Sequence, residues 1–176
     1  MTVNVVQNAL TEARWALDAL LANKTTLEAV VDAANLMADA IETKGKIMSC
    51  GNGGSLCDAM HFAEEMTGRF RSDRRAYPAV AIADASHIAC VGNDYGYDYV
   101  FSRYVEAHGQ EGDVLLAITT SGTSSNVIKA AEAAKARGVK VVAMTGRVDS
   151  PITKLADVSI VTPAGKWADR VQELHI

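Results

Sequence analysis

KIMSCGNGGSLCDAMHFAEE, residues 46–65, carries the chain from one kind of structure into another. Lys46 to Cys50 is short and mostly apolar, as a strand covered on both faces must be. Gly51 to Ser55 holds three glycines, an asparagine and a serine, none of which fills a core. From Ser55 onward apolar and polar residues recur at helical spacing, which predicts a helix over 55–68. A strand, a glycine loop and a helix N-terminus together aim unpaired backbone N–H groups and the positive end of a helix dipole at one point. Glycine also lets the backbone approach a ligand closely and visit φ > 0. The stretch predicts an α/β unit with an anion at the tip of its strand.

Upstream, residues 3–22 and 26–43 place apolar side chains at helical spacing, with Thr25 or Thr26 as a cap and Gly45 as the stop for the second helix. Both helices have a wide apolar face, which suits core packing and a subunit interface equally. Downstream, apolar runs at 78–83, 113–118, 139–144 and 157–161 are separated by helical stretches at 55–68, 97–108 and 124–137 and by shorter pieces near 86–92 and 151–156. With 46–50 this makes five strands alternating with helices, the pattern of an α/β fold with a five-stranded parallel sheet flanked by helices. The crossovers are expected to be right-handed. The polar loop 71–77 is expected to be the most flexible connection.

A chain of 176 residues reads as one domain, 1–176, with residues 1–44 as a helical pair and 45–176 as the α/β core. Hydrophobic residues make up 49% and charged residues 22%, and the net charge of -4 argues against nucleic acid as the main partner. The three cysteines lack CxxC spacing and read as reduced thiols. No apolar run approaches the ~20 residues of a membrane span, and no leader pattern opens the chain, so a soluble cytoplasmic protein is expected.

The strand at 113–118 also ends in an unusual loop, Thr119-Thr120-Ser121-Gly122-Thr123-Ser124, with five hydroxyls and a helix behind it. Each charge-assisted bond from such a donor to a phosphate oxygen contributes about 1.5–3 kcal/mol. Neither loop is a Walker A motif and neither matches GxGxxG. A phosphorylated small molecule is therefore a better ligand than a nucleotide. At 100° per residue, Asp58, His61, Glu65 and Arg69 share one face of the first loop's helix. Spacing alone fits a solvated face with an i,i+4 His–Glu pair. The stripe starts at the loop, however, and ~10 helical residues span ~15 Å, room for an extended phosphorylated small molecule. Asn93-Asp94 reads by itself as a turn, His87 as part of a short helical turn, His108 as an exposed helix end, and Trp15 and Trp167 as packing residues.

The motifs SCGNGGSLCDAMHFAEE, HIACVGNDYGYDYVFSRYVEA, EGDVLLAITTSGTSSNVIKA and ADRVQELHI, in this order, resemble the sugar isomerase (SIS) domain. The similarity extends over essentially the whole chain to the phosphoheptose isomerases. The resemblance implies a flavodoxin-like three-layer sandwich, a homotetramer and conversion of sedoheptulose 7-phosphate to D-glycero-D-manno-heptose 7-phosphate. That reaction opens the route to the ADP-heptose of bacterial lipopolysaccharide. It implies substrate contacts at Asn52, Gly53, Gly54, Ser55, Glu65, Asn93, Asp94, Thr119, Thr120, Ser121, Ser124 and Gln172. Threonine stands at 119 where the family often has serine. Some members bind zinc through residues matching His61, Glu65 and Gln172, plus a histidine further along a helix that continues past Ile176. His175 is not expected to replace that histidine, and Asp169 reads equally as substrate-orienting or solvated.

Ketose–aldose exchange needs a base, and Glu65 is expected to fill that role, with zinc as a Lewis acid at the developing enediolate. If Glu65 ligates zinc throughout it is a poorer base, and the sequence leaves the two roles open. Three alternatives stand beside this reading. A non-catalytic SIS protein that binds the bacterial replication initiator would lack the carboxylate matching Glu65. A sugar-phosphate-sensing regulator would carry a helix-turn-helix region. An isomerase of another sugar phosphate would share the whole pattern.

Overall fold

The computed structural model describes residues 2–163, 165 and 167–176. Two long helices come first, α1 (Val3–Ala22) and α2 (Lys24–Glu42). Then follow β1 (Ile47–Gly51), α3 (Gly54–Thr67), β2 (Ala79–Ala81), α4 (Ala85–Asp94), a 3-10 turn at Tyr97–Tyr99, α5 (Ser102–His108) and β3 (Val114–Ile118). The chain closes with α6 (Ser125–Ala136), β4 (Lys140–Thr145), α7 (Pro151–Leu155), β5 (Val158–Val161) and α8 (Ala168–Gln172). The five strands form one sheet in the order β2-β1-β3-β4-β5, every neighbouring pair parallel.

Alternation along the strands splits the core in two. Met48, Cys50, Leu115, Ala117, Val141 and Ala143 face α4, α5, α6 and α7. Ile47, Val114, Leu116, Ile118 and Val142 face α2 and α3. Each fully buried aliphatic side chain contributes roughly 1.5–3 kcal/mol, so packing on both faces, and not hydrogen bonding alone, holds these short strands. The register of β1 against β3 is pinned at their N-terminal ends, where the buried Asp113 carboxylate accepts from the Lys46 backbone N–H (2.9 Å) and pairs with the Lys46 ammonium (2.5 Å). Consecutive connections leave β1 and β3 in opposite directions along the sheet. The tips of those two adjacent strands therefore form the switch point where open α/β sheets bind ligands.

Several local expectations are corrected. Asn23, not Thr25 or Thr26, caps α2, its side chain accepting from Thr26 N–H at 3.2 Å. Thr26 is buried and donates its hydroxyl to Val161 O. The stop of α2 is Lys44 at φ 69, not Gly45. The helix expected over 97–108 is broken into the 3-10 turn at Tyr97–Tyr99 and α5, with Val100 and Phe101 both buried at the junction. The polar 71–77 loop is tethered: Arg74 donates to the carbonyls of Glu65 and Met66 and stacks over Tyr77. Trp15 and Trp167 are 54% and 59% exposed, not core. The cysteines are free, and burial pushes the Cys50 thiol up to about 12.

Candidate functional site

The first cradle is the link from β1 to α3. Gly53 sits at φ 54, ψ -122, a conformation open to glycine alone, and offers α3 no side-chain cap. The N–H groups of Ser55 and Leu56 close turns onto Asn52 O and Gly53 O at 3.0 Å each. Those of Gly53 and Gly54 have no backbone acceptor among the described residues. Ser55 is buried beneath them in the first turn of α3.

The second cradle links β3 to α6 and is built differently. Ser124 is the N-cap residue of α6, yet its hydroxyl does not cap the helix; it meets the Thr119 hydroxyl at 3.0 Å. Thr119 is buried and also lies 3.4 Å from the Ser121 hydroxyl. Ser121 Oγ accepts from the Thr123 N–H (3.2 Å) and hydroxyl (3.1 Å). Behind this net, Gly146 N–H donates to Thr120 O and Ile152 N–H to Gly122 O, so the loop is braced from β4 and α7. The two cradles are joined directly: Asn52 Nδ2 donates to Asn126 Oδ1 (2.9 Å) and Asn126 Nδ2 donates to Asn52 Oδ1 (2.8 Å).

From the first cradle α3 runs along a cavity of about 360 Å³ walled by Phe62, Met66 and Phe70. Asp58, His61 and Glu65 line it. His61 Nε2 stands 3.3 Å from Glu65 Oε1 and 3.8 Å from Glu64 Oε1. One donor atom each from His61, Glu64 and Glu65 falls within 4.8 Å of the others. Nitrogen and carboxylate oxygen donors at that separation could hold a metal ion. Glu64 was absent from the ligand set expected from the sequence.

Gln172 arrives from α8. Its amide lies against Gly54, where an added Cβ would overlap it, and its Nε2 donates to Asp58 Oδ1 at 3.4 Å. Gln172 thus joins the site at Asp58, one helical turn before His61. Asp58 is 5% exposed, with Oδ2 unpaired, and burial raises its pKa against the opposing pull of Gln172 and His61. The stripe is shorter than expected: α3 ends at Thr67, Gly68 leaves helical geometry, and Arg69 falls off the face. His175 is buried, with Nε2 at 3.1 Å from Thr162 Oγ1, and burial lowers its pKa from 6.5 to about 4. Asp169 is exposed and paired with Arg170.

Asn93 and Asp94 are the last residues of α4 rather than a turn. They are exposed, and Asn93 Nδ2 donates to Asp94 Oδ1 at 2.7 Å. Their link to the cradles runs through the following turn, where the Tyr97 hydroxyl donates to Asn52 Oδ1 at 3.2 Å. Asn126 and Tyr97 were missed in the sequence. The one available signal for Asn126 was an amide at a helix position otherwise flanked by core residues.

The SIS domain family profile matches residues 14–146. The chain is 56% identical over all of its 176 residues to the phosphoheptose isomerase of Aeromonas salmonicida, covering 92% of that protein. A solved phosphoheptose isomerase from Neisseria gonorrhoeae superposes with a TM-score of 0.90 at 43% identity, over 98% of this chain and 91% of the other. One from Francisella tularensis gives 0.92 at 33% identity, over 99% and 93%.

Proposed function

This chain belongs to the SIS domain family and, within it, to the phosphoheptose isomerases, and from that membership we propose that it interconverts sedoheptulose 7-phosphate and D-glycero-D-manno-heptose 7-phosphate through an enediolate. The observation that carries this reading is the pair of cradles at the β1/β3 switch point, with the His61–Glu65 pair two to three turns along α3. The phosphate sits between the backbone N–H groups of Gly53 and Gly54 and the hydroxyls of Thr119, Thr120, Ser121 and Ser124. Asn52 and Ser55 shape the first cradle. The sugar extends along α3 for ~15 Å, which brings C1 and C2 to Glu65. Asn93, Asp94 and Gln172 hold sugar hydroxyls.

The Glu65 carboxylate removes a proton from C1 of the ketose, and the electron pair moves through C1–C2 to the carbonyl oxygen. The proton on O1 passes to O2, and Glu65 returns its proton to C2, leaving an aldehyde at C1. His61, 3.3 Å from Glu65, is placed to donate to an enediolate oxygen. Zinc fits the His61, Glu64 and Glu65 donors, and Gln172, which reaches α3 at Asp58, is the further ligand that the family resemblance implies; bound there zinc would supply Lewis-acid polarisation of the carbonyl. The product feeds ADP-heptose synthesis for lipopolysaccharide.

The exposed apolar faces of the 1–44 helical pair support assembly into a homotetramer. Val3 and Leu10 are 72% and 66% exposed, and Val6, Leu17, Leu21 and Val31 are exposed beside them. Among the described residues no helix is long and apolar enough to cross a membrane. Glu65 speaks against a non-catalytic reading. The test is turnover of sedoheptulose 7-phosphate in D2O, followed by NMR. Deuterium should enter at C2, and Glu65→Gln should lose at least about a hundredfold in rate. Full activity in that variant would remove Glu65 from the chemistry.

A further inference from the structure

Asn126 is 3% exposed at the second position of α6, where its neighbours Val127, Ala130 and Ala131 build the core. A buried amide must find partners. It finds them 74 residues away in Asn52, through a reciprocal pair of bonds at 2.8 and 2.9 Å. The polarity of this pair is fixed by backbone: Val127 N–H donates to Asn126 Oδ1 at 3.0 Å, so that atom is the oxygen. Asn52 Oδ1 must then face Asn126 Nδ2, and the Tyr97 hydroxyl can only donate to it. The next residue, Asp98, accepts from the Ser125 hydroxyl on the first turn of α6. One short turn following Asn93 and Asp94 is thereby bonded to both cradles.

The geometry points to Asn126, seconded by Tyr97, as a positioning residue that clasps the two cradles at a fixed gap and so sets the affinity for the phosphate end of the substrate. This rests on the phosphate site proposed above. The cradles hang from paired strand tips, Gly51 opposite Ile118, about 4.8 Å apart, and nothing in the strand ladder itself stops the two loops from splaying beyond that point. Two parallel amide bonds across the gap resist both separation and twist. Because the clasp lies at the phosphate end and not at Glu65, its loss should weaken ground state and transition state alike. The signature is a rise in KM with kcat held.

The experiment compares Asn126→Ser, Tyr97→Phe and their combination with the parent protein. Asn126→Ser should raise KM for sedoheptulose 7-phosphate about tenfold with kcat within about threefold. Tyr97→Phe, an exposed change that leaves the core intact, should raise KM about twofold. The double variant should match Asn126→Ser, because Tyr97 acts only by holding the Asn52 amide in the orientation that pairs with Asn126. A parallel titration with inorganic phosphate follows the amide shifts of Gly53, Gly54 and Ser121. In the parent both loops should titrate with one Kd, and in Asn126→Ser that Kd should rise about tenfold. Unchanged KM and Kd in the variants, or a loss confined to kcat, would overturn the clasp while leaving the phosphate site standing. Phosphate that shifts neither loop in the parent would sink the phosphate site itself, and the clasp with it. Should Asn126→Ser not fold, Tyr97→Phe decides by the same two readouts.

Discussion

The loop after β1 offers backbone, and the loop after β3 offers hydroxyls. Gly53 at positive φ and the uncapped start of α3 make the first cradle a patch of amide donors, and the Gln172 side chain from α8 lies against it at Gly54. The second cradle carries its own donors, ties Thr119, Ser121, Thr123 and Ser124 to one another, and is braced from behind by β4 and α7. The first is thus conditional on a distant element, and the second is self-contained. Disturbing α8 should strip Gln172 from the first cradle and leave the second intact.

The largest expected effect comes from pH. His175 anchors the end of α8 through Thr162, and its pKa falls from 6.5 to about 4 on folding because burial penalises the charged ring. Below pH 6.5 the unfolded chain takes up a proton that the folded chain refuses, so this contribution is full above 6.5 and drains away as pH falls to 4. The shift corresponds to about 3 kcal/mol. Urea unfolding across that range should show His175→Gln losing less stability than the parent, by about that amount between pH 6.5 and 4. An identical pH dependence would mean that folding does not hold this ring neutral.

Next is Gly54→Ala. The new methyl would overlap the Gln172 amide, which is the mobile end of a side chain and can swing away, so the fold survives while Gln172 leaves Asp58. Turnover should fall about a hundredfold, the scale of losing an acid–base or ligating group, with Tm lowered by only a few degrees. Activity within threefold of the parent would show that Gln172 does no chemistry from this position.

The two cradles were equally legible from residues alone. One glycine- or hydroxyl-rich run between a strand and a helix reads as a turn with a helix cap, and it is the pair, Gly51–Ser55 and Thr119–Ser124, that points to an anion. The five strands were legible as continuous apolar runs, each within two residues of its observed ends. His61 and Glu65 followed from helical spacing. Asp58 lay on the same polar stripe, and nothing local says that α8 will cover it. Asn126 is a tertiary pairing across 74 residues and leaves no periodic trace. The end of α3 before Arg69 depends on Gly68 and on Arg74 reaching back to the last carbonyls, again a contact that spacing does not encode.

The smallest effect should come from the self-contained side. Ser124→Ala removes one hydroxyl from the net and deprives Thr119 Oγ1 of its 3.0 Å partner, but Ser121 remains 3.4 Å away and the backbone braces from Gly146 and Ile152 are untouched. One hydrogen bond to a charged group is worth about 1.5 kcal/mol, so KM should rise about tenfold with kcat nearly constant. Stability should hardly move, since Ser124 never capped α6 with its side chain. The contrast with Gly54→Ala is in kind as well as size: one variant loses phosphate affinity, the other displaces Gln172 from Asp58, on the stripe of α3 that leads to His61 and Glu65. If Ser124→Ala instead lowered kcat as steeply as Gly54→Ala, the second cradle would have to be coupled to the chemistry at Glu65, and the division of labour between backbone and hydroxyl would fail.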